Sequence, residues 1–174
     1  PYTIIMKILL SLIFIFSTFV ASADDHGKKK PLKAFMVTGG CCHDYPNQKN
    51  IISAGISERI PTEWDIFFEM DEKKSKAKLS EPGWADEYDY IVYNQCFAHE
   101  KDAEFVKSIT EIHKSGKPAI ALHCSMQSYH WSIPAKEGEK KAWPEMLGAS
   151  SKGHGPKAAI TVNKVKENAD HPIM

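Results

Sequence analysis

An α/β fold with a mostly parallel sheet is what this chain predicts, and three observations predict it. From Lys33 onward, short apolar runs alternate with stretches of helical periodicity, the order that builds βαβ units and a sheet covered on both faces. Three of those runs end in turns that carry cysteine or histidine: T-G-G-C-C-H-D, N-Q-C-F-A-H and H-C-S. Composition agrees, with 43% hydrophobic and 25% charged residues among 174, which fits one globular domain and argues against disorder or a polytopic membrane protein.

The elements follow in order. Lys33 to Val37 (K-A-F-M-V) reads as a buried strand stopped by Thr38-Gly39-Gly40. Asn47 to Arg59 reads as a helix, with Ile51, Ile52, Ile56 and then Ile60 near helical spacing. Trp64 to Met70 is the second strand. The charged stretch Asp71 to Lys78 and the turn Glu81-Pro82-Gly83 lead to a third strand at Tyr88 to Tyr93, whose alternating tyrosines also suit a one-sided edge strand. Asp102 to Lys114 is a helix with Phe105, Val106, Ile109 and Ile112 on one face, closed by Gly116 and Pro118. Ala119 to His123 is the fourth strand and Lys157 to Val162 the fifth.

The first 23 residues read differently. Lys7, an apolar run from Ile8 to Val20 and Ala21-Ser22-Ala23 have the layout of a secretory signal peptide with an A-x-A cleavage site, preceded by five residues upstream of Met6. The run is shorter than the roughly 20 residues a spanning helix needs, so no stable membrane span is expected after cleavage. Residues 24–31 read as a polar, flexible leader, and 32–174 as the domain. Export is expected, to the periplasm or beyond. Lys7 is the only charge in 1–23, so cleavage leaves 21 basic and 22 acidic residues, a net charge of −1. Arg59 is the only arginine. Without bidentate arginines or excess positive charge, nucleic acid is not an expected partner.

The chemistry gathers at one rim. In a parallel α/β sheet the strand C-terminal ends share one edge, where ligands bind. That edge should receive Cys41, Cys42, His43 and Asp44 after the first strand, Asn94, Gln95 and Cys96 after the third, and His123, Cys124 and Ser125 after the fourth, with His154 from a later loop. Three chemistries remain open. An exported chain with four cysteines suits a disulfide, and adjacent Cys41 and Cys42 are poorly placed to pair with each other, so bonds to Cys96 or Cys124 are expected. Cys and His side chains suit a divalent metal such as zinc, with His43, His123 and Cys96 as ligands, although no C-x-x-C or H-E-x-x-H spacing is present. Cys124, in a sharp strand-to-helix turn, suits a nucleophile.

Specific blocks resemble the trehalose-utilisation (ThuA-like) family of the class I glutamine amidotransferase-like superfamily. They are T-G-G-C-C-H-D-Y with Gln48, Y-N-Q-C-F-A, P-A-I-A-L-H-C, W-P-E-M-L-G, S-S-K-G-H-G-P and H-P-I-M, spread over Leu32 to Met174. The resemblance implies a flavodoxin-like three-layer α/β/α sandwich that continues past H-P-I, so that the C-terminal part is missing here. It implies use of disaccharides or oxidised sugars, with His43, Asn94, Cys96, His123, Cys124 and His154 as site candidates. The turn L-H-C-S-M lacks the glycines that flank an amidotransferase nucleophile, and no H-x-E follows; glutaminase chemistry is not supported.

The resulting expectation is an exported protein that takes a sugar or sugar derivative in a Cys/His-lined crevice. His123 or His43 serves as general acid or base, Cys124 stands beside them, and Asn94, Gln95, Cys96 and His154 bind substrate. The alternatives are a non-catalytic carbohydrate-binding module and a thiol-dependent, amidotransferase-like hydrolase or transferase.

Overall fold

The computed structural model describes residues 30–130 and 140–151, with scattered residues between 153 and 170. The signal-like segment, most of the leader, Trp131 and His154 lie outside the described residues. Four strands form one all-parallel sheet: β1 (Leu32–Gly40), β2 (Thr62–Phe68), β3 (Tyr90–Cys96) and β4 (Ala119–Ala121), in the order β2-β1-β3-β4. Helices α1 (Tyr45–Ser57), α2 (Glu72–Leu79) and α3 (Ala103–Lys114) separate successive strands, and α4 (Ala142–Leu147) follows. The fold is flavodoxin-like α/β. Strand order reverses between β1 and β3, and such a reversal opens a crevice at the strand C-terminal ends. No helix among the described residues is long and apolar enough to cross a membrane.

Side chains alternate across a strand, and that alternation sorts the two faces. Phe35 and Val37 of β1 with Ile91 and Tyr93 of β3 meet Leu79, Phe105, Ile109 and Trp143 in the main core. On the other face Cys96 packs on Tyr45, and Asn94 bonds Gln48, which places α1 there. Three layers result, α1 on one side and α2 to α4 on the other. The α1 side is the thinner one, since Ile51, Ile60 and Ile120 stay exposed. β3 has a neighbour on each side, so it is an interior strand and not the edge strand its tyrosines also suited.

Several boundaries differ from expectation for local reasons. The first helix starts at Tyr45 because the Asp44 carboxylate accepts from the Asn47 backbone N–H and Pro46 occupies the first turn. β3 runs to Cys96, not Tyr93, because Gly40 at the end of β1 still pairs with Cys96. β4 ends at Ala121, since His123 takes φ 45° and turns the chain into a short 3-10 segment, His123–Gln127. The charged stretch forms α2, capped by Asp71 and burying Ser75 and Leu79. The expected fifth strand is a correction. Its described residues, 158–161, form no strand and are exposed, with Ile160 84% accessible.

His113 is half-buried and ties the fold together. Its Nε2 lies 2.7 Å from the Tyr93 hydroxyl and its Nδ1 2.8 Å from the Lys117 carbonyl. The carbonyl can only accept, so Nδ1 carries the proton and Nε2 accepts from the tyrosine, which makes the ring neutral. Burial lowers its pKa. A depressed histidine binds protons more weakly folded than unfolded, so its contribution is complete above about pH 6.5 and is lost as pH falls below that value. Urea midpoints at pH 7.5 and 5.5 should therefore differ more for the wild type than for His113→Gln; equal differences would show that this ring does not couple folding to pH.

Candidate functional site

The end of β1 passes between two neighbouring backbones. Gly39 and Gly40 have φ of 137° and 90°, and a methyl group on either would collide with the carbonyls of Glu69 and Cys96, respectively. Only glycine fits such close approaches at positive φ. They bring Cys41, Cys42 and His43 over the crevice between β1 and β3. Cys41 and Cys42 are joined by a disulfide, whereas Cys96 and Cys124 are free, buried thiols. This corrects the expectation that Cys41 or Cys42 would bond Cys96 or Cys124. Cys42 at φ 82° reverses the chain locally, and adjacent sulfurs then meet without a cis peptide.

The opposite wall comes from the turn after β4. Its conformation is held by Ser125 and Ser128, both fully buried or nearly so. The Gln95 N–H donates to Ser125 Oγ at 3.0 Å, and that hydroxyl reaches the Tyr93 carbonyl at 2.6 Å. The Phe97 N–H donates to Ser128 Oγ at 3.1 Å, and the Tyr129 N–H to the Phe97 carbonyl at 2.7 Å. Trp143 Nε1 donates to the Ser125 carbonyl at 2.8 Å. These bonds fix His123 and Cys124 against the end of β3. Ser125, grouped with the rim in the sequence, is thus a structural fastener.

Two walls now face each other. The imidazoles of His43 and His123 meet edge to face, 4.7 Å between ring centres, and His43 also meets the Tyr45 ring at 5.8 Å. One ligand atom each from His43, His123 and Cys124 lies within 4.8 Å of the others. Tetrahedral zinc holds nitrogen at about 2.0–2.1 Å and sulfur at about 2.3 Å, which sets its donors about 3.5 Å apart, so these three donors would draw closer by side-chain rotation to hold an ion. The metal set expected from sequence is therefore altered: Cys124 stands with the two histidines, and Cys96 lies behind it, 2.7 Å from Cys124 Sγ and 3.9 Å from Cys41 Sγ. Burial first, then the close Cys124 thiol, pushes the Cys96 pKa up to about 12. Tyr45, packed on both thiols, is likewise raised, chiefly by burial.

The strand parity of β3 separates the remaining candidates. Asn94 faces the crevice, where its side-chain amide donates to Thr38 Oγ1 at 3.1 Å and Gln48 Oε1 at 3.3 Å. Gln95 points to the other face. It is wholly buried and donates to the Tyr129 hydroxyl at 2.7 Å, so it does not join the site. Asp44 is exposed and its carboxylate caps α1. His154 lies outside the described residues. Sequence reasoning missed Thr38 and Gln127, whose Oε1 lies 4.0 Å from Cys124 Sγ, as well as the place of Tyr45 beneath the thiols. Their only signal was proximity in sequence to the cysteine and histidine turns.

Among the described residues, two of the three non-glycine residues at positive φ, Cys42 and His123, lie at this rim. Such backbone costs on the order of 1–3 kcal/mol and tends to persist where a site requires it. No family model, curated protein or solved structure matches the chain.

Proposed function

We propose that the strand-end crevice binds and processes a sugar or sugar derivative, with His43, His123 and Cys124 as its working centre. One observation carries this reading: donor atoms from two separate loops converge to within 4.8 Å at the point where strand order reverses. The three residues would hold a divalent metal such as zinc, which supplies Lewis-acid polarisation of a hydroxyl or carbonyl oxygen. The imidazoles stand where they can accept or return a proton at that oxygen. Asn94 and Gln48 line the same wall with amides suited to hydroxyl groups. The sugar class rests on the resemblance to ThuA-like proteins. A thiol nucleophile is less well supported, because Cys124 is buried and its turn carries histidine where an amidotransferase has glycine.

The test joins composition to turnover. Purified full-length protein should contain about one zinc per chain, as a three-ligand site with an open position would hold, and should turn over a member of a panel of disaccharides and oxidised sugars. Chelation should remove both metal and activity. Binding of a panel member without turnover would make the chain a carbohydrate-binding module; neither binding nor metal would refute the proposal.

Export belongs to the same reading and is supported by Lys7, the apolar run and Ala21-Ser22-Ala23. N-terminal sequencing of the exported protein should start at or near Asp24. A stable membrane-bound product that retains Met6 would contradict it.

A further inference from the structure

We propose that the four cysteines form an internal disulfide relay, in which the Cys41–Cys42 bond exchanges for a Cys96–Cys124 bond. The chain has four cysteines, and their sulfurs are linked by successive close pairs. Cys41 is bonded to Cys42, Cys96 Sγ lies 3.9 Å from Cys41 Sγ, and Cys124 Sγ lies 2.7 Å from Cys96 Sγ. Ordinary non-bonded contacts between heavy atoms are about 3.5–4.0 Å, so the first gap is a contact and the second is closer than one. Thiol–disulfide exchange needs a thiol in line of reach of a disulfide sulfur and proceeds through a mixed disulfide. This arrangement offers both that thiol and a second one to resolve the intermediate.

The atoms balance without outside reagents. Cys96 sulfur attacks Cys41 Sγ; the Cys41–Cys42 bond breaks, the Cys41–Cys96 bond forms, and Cys42 leaves with the proton that Cys96 gives up. Cys124 sulfur then attacks Cys96 Sγ. The Cys41–Cys96 bond breaks, the Cys96–Cys124 bond forms, and Cys41 takes the proton from Cys124. Each end state has one disulfide and two thiols, so nothing is oxidised or reduced overall.

The exchange changes what the surface presents. Cys41 and Cys42 are exposed, whereas Cys96 and Cys124 are 6% and 7% accessible. Moving the bond inward therefore brings a reducing pair to the rim. Cutting the Cys41–Cys42 bond also frees Cys42 to leave φ 82°, a region that non-glycine residues occupy only at a cost. The relay shares Cys124 with the proposed metal centre, and a Cys124 bonded to Cys96 offers no thiolate to a metal; disulfide mapping of metal-free protein reads the relay, and metal content with turnover reads the sugar site.

The experiment is disulfide mapping of the full-length protein without reduction. Burial disfavours the Cys96 thiolate that must attack, so wild-type protein is held for long times at about pH 8.5, near the ordinary cysteine pKa, without oxygen, added thiol or added oxidant, then quenched in acid, alkylated and digested. The expected result is a mixture in which the peptides bearing Cys96 and Cys124 are linked in part of the molecules, with alkylated Cys41 and Cys42 in those same molecules. In Cys124→Ser the resolving thiol is lost, so the Cys96–Cys124 link disappears and a Cys41–Cys96 link takes its place. Three results would overturn the relay: Cys41–Cys42 as the sole bond in the wild type at all times, a Cys96–Cys124 bond formed only while Cys41–Cys42 stays intact, or no Cys41–Cys96 link in a folded Cys124→Ser protein. If that variant fails to fold, the wild-type mixture alone decides.

Discussion

His123→Ala should lower turnover on the order of 100- to 10,000-fold, the ordinary effect of removing a positioned general acid or base, and should lower bound metal with it. The ring is exposed on the crevice side and contributes no core packing, so the metal-free variant should keep the melting temperature of the metal-free wild type. Cys124→Ser should cost less, because a hydroxyl of similar reach keeps a donor atom beside His43 and His123. Assaying both variants with metal content measured in parallel separates the roles. Complete loss in Cys124→Ser with near-normal His123→Ala would reverse the assignment in favour of a thiol nucleophile.

Trp143→Ala should be the most damaging single change to stability. The indole is wholly buried. It meets Tyr93 and Tyr129 edge to face at 5.0 Å each, and its Nε1 donates to the Ser125 carbonyl. Truncating a buried Trp costs about 3–5 kcal/mol, against a total domain stability of about 5–15 kcal/mol. The urea midpoint should drop by a large fraction at unchanged slope. Trp143→Phe should keep most of the packing and lose chiefly the hydrogen bond, about 0.5–1.5 kcal/mol. Equal losses for Ala and Phe would mean that the hydrogen bond, and not the ring, holds α4 in place.

Much of the layering was legible because it rests on periodicity. The alternation of apolar runs with helical stripes gave four strands and two of the helices, and the shared strand direction put Cys41, Cys96 and Cys124 at one edge. What escaped was set by tertiary partners. α2 is so rich in lysine that it has no apolar stripe, and only the Asp71 cap and the helix-forming residues after it signalled a helix. The apolar run alone ends at Tyr93 and leaves Gln95 on the rim; pairing of Gly40 with Cys96 extends the strand, and parity then turns the glutamine away. The Cys41–Cys42 pairing could not be read from spacing, since it depends on the backbone reversal at Cys42.

The fastening of the turn after β4 has a consequence for how such a site can change its preferences. Ser125 and Ser128 bind that turn to Tyr93 and Gln95 of β3 and to Phe97 just after it, and Trp143 donates to the Ser125 carbonyl. An insertion between His123 and Tyr129 would break several of these bonds at once. The backbone of the segment after Gly40 is tied to β3, among the described residues, by the 3.4 Å bond from the Cys41 N–H to the Cys96 carbonyl. Loop-length variation, the common route by which a rigid scaffold acquires new ligands, is therefore open on the β1 side of the crevice and closed on the β4 side.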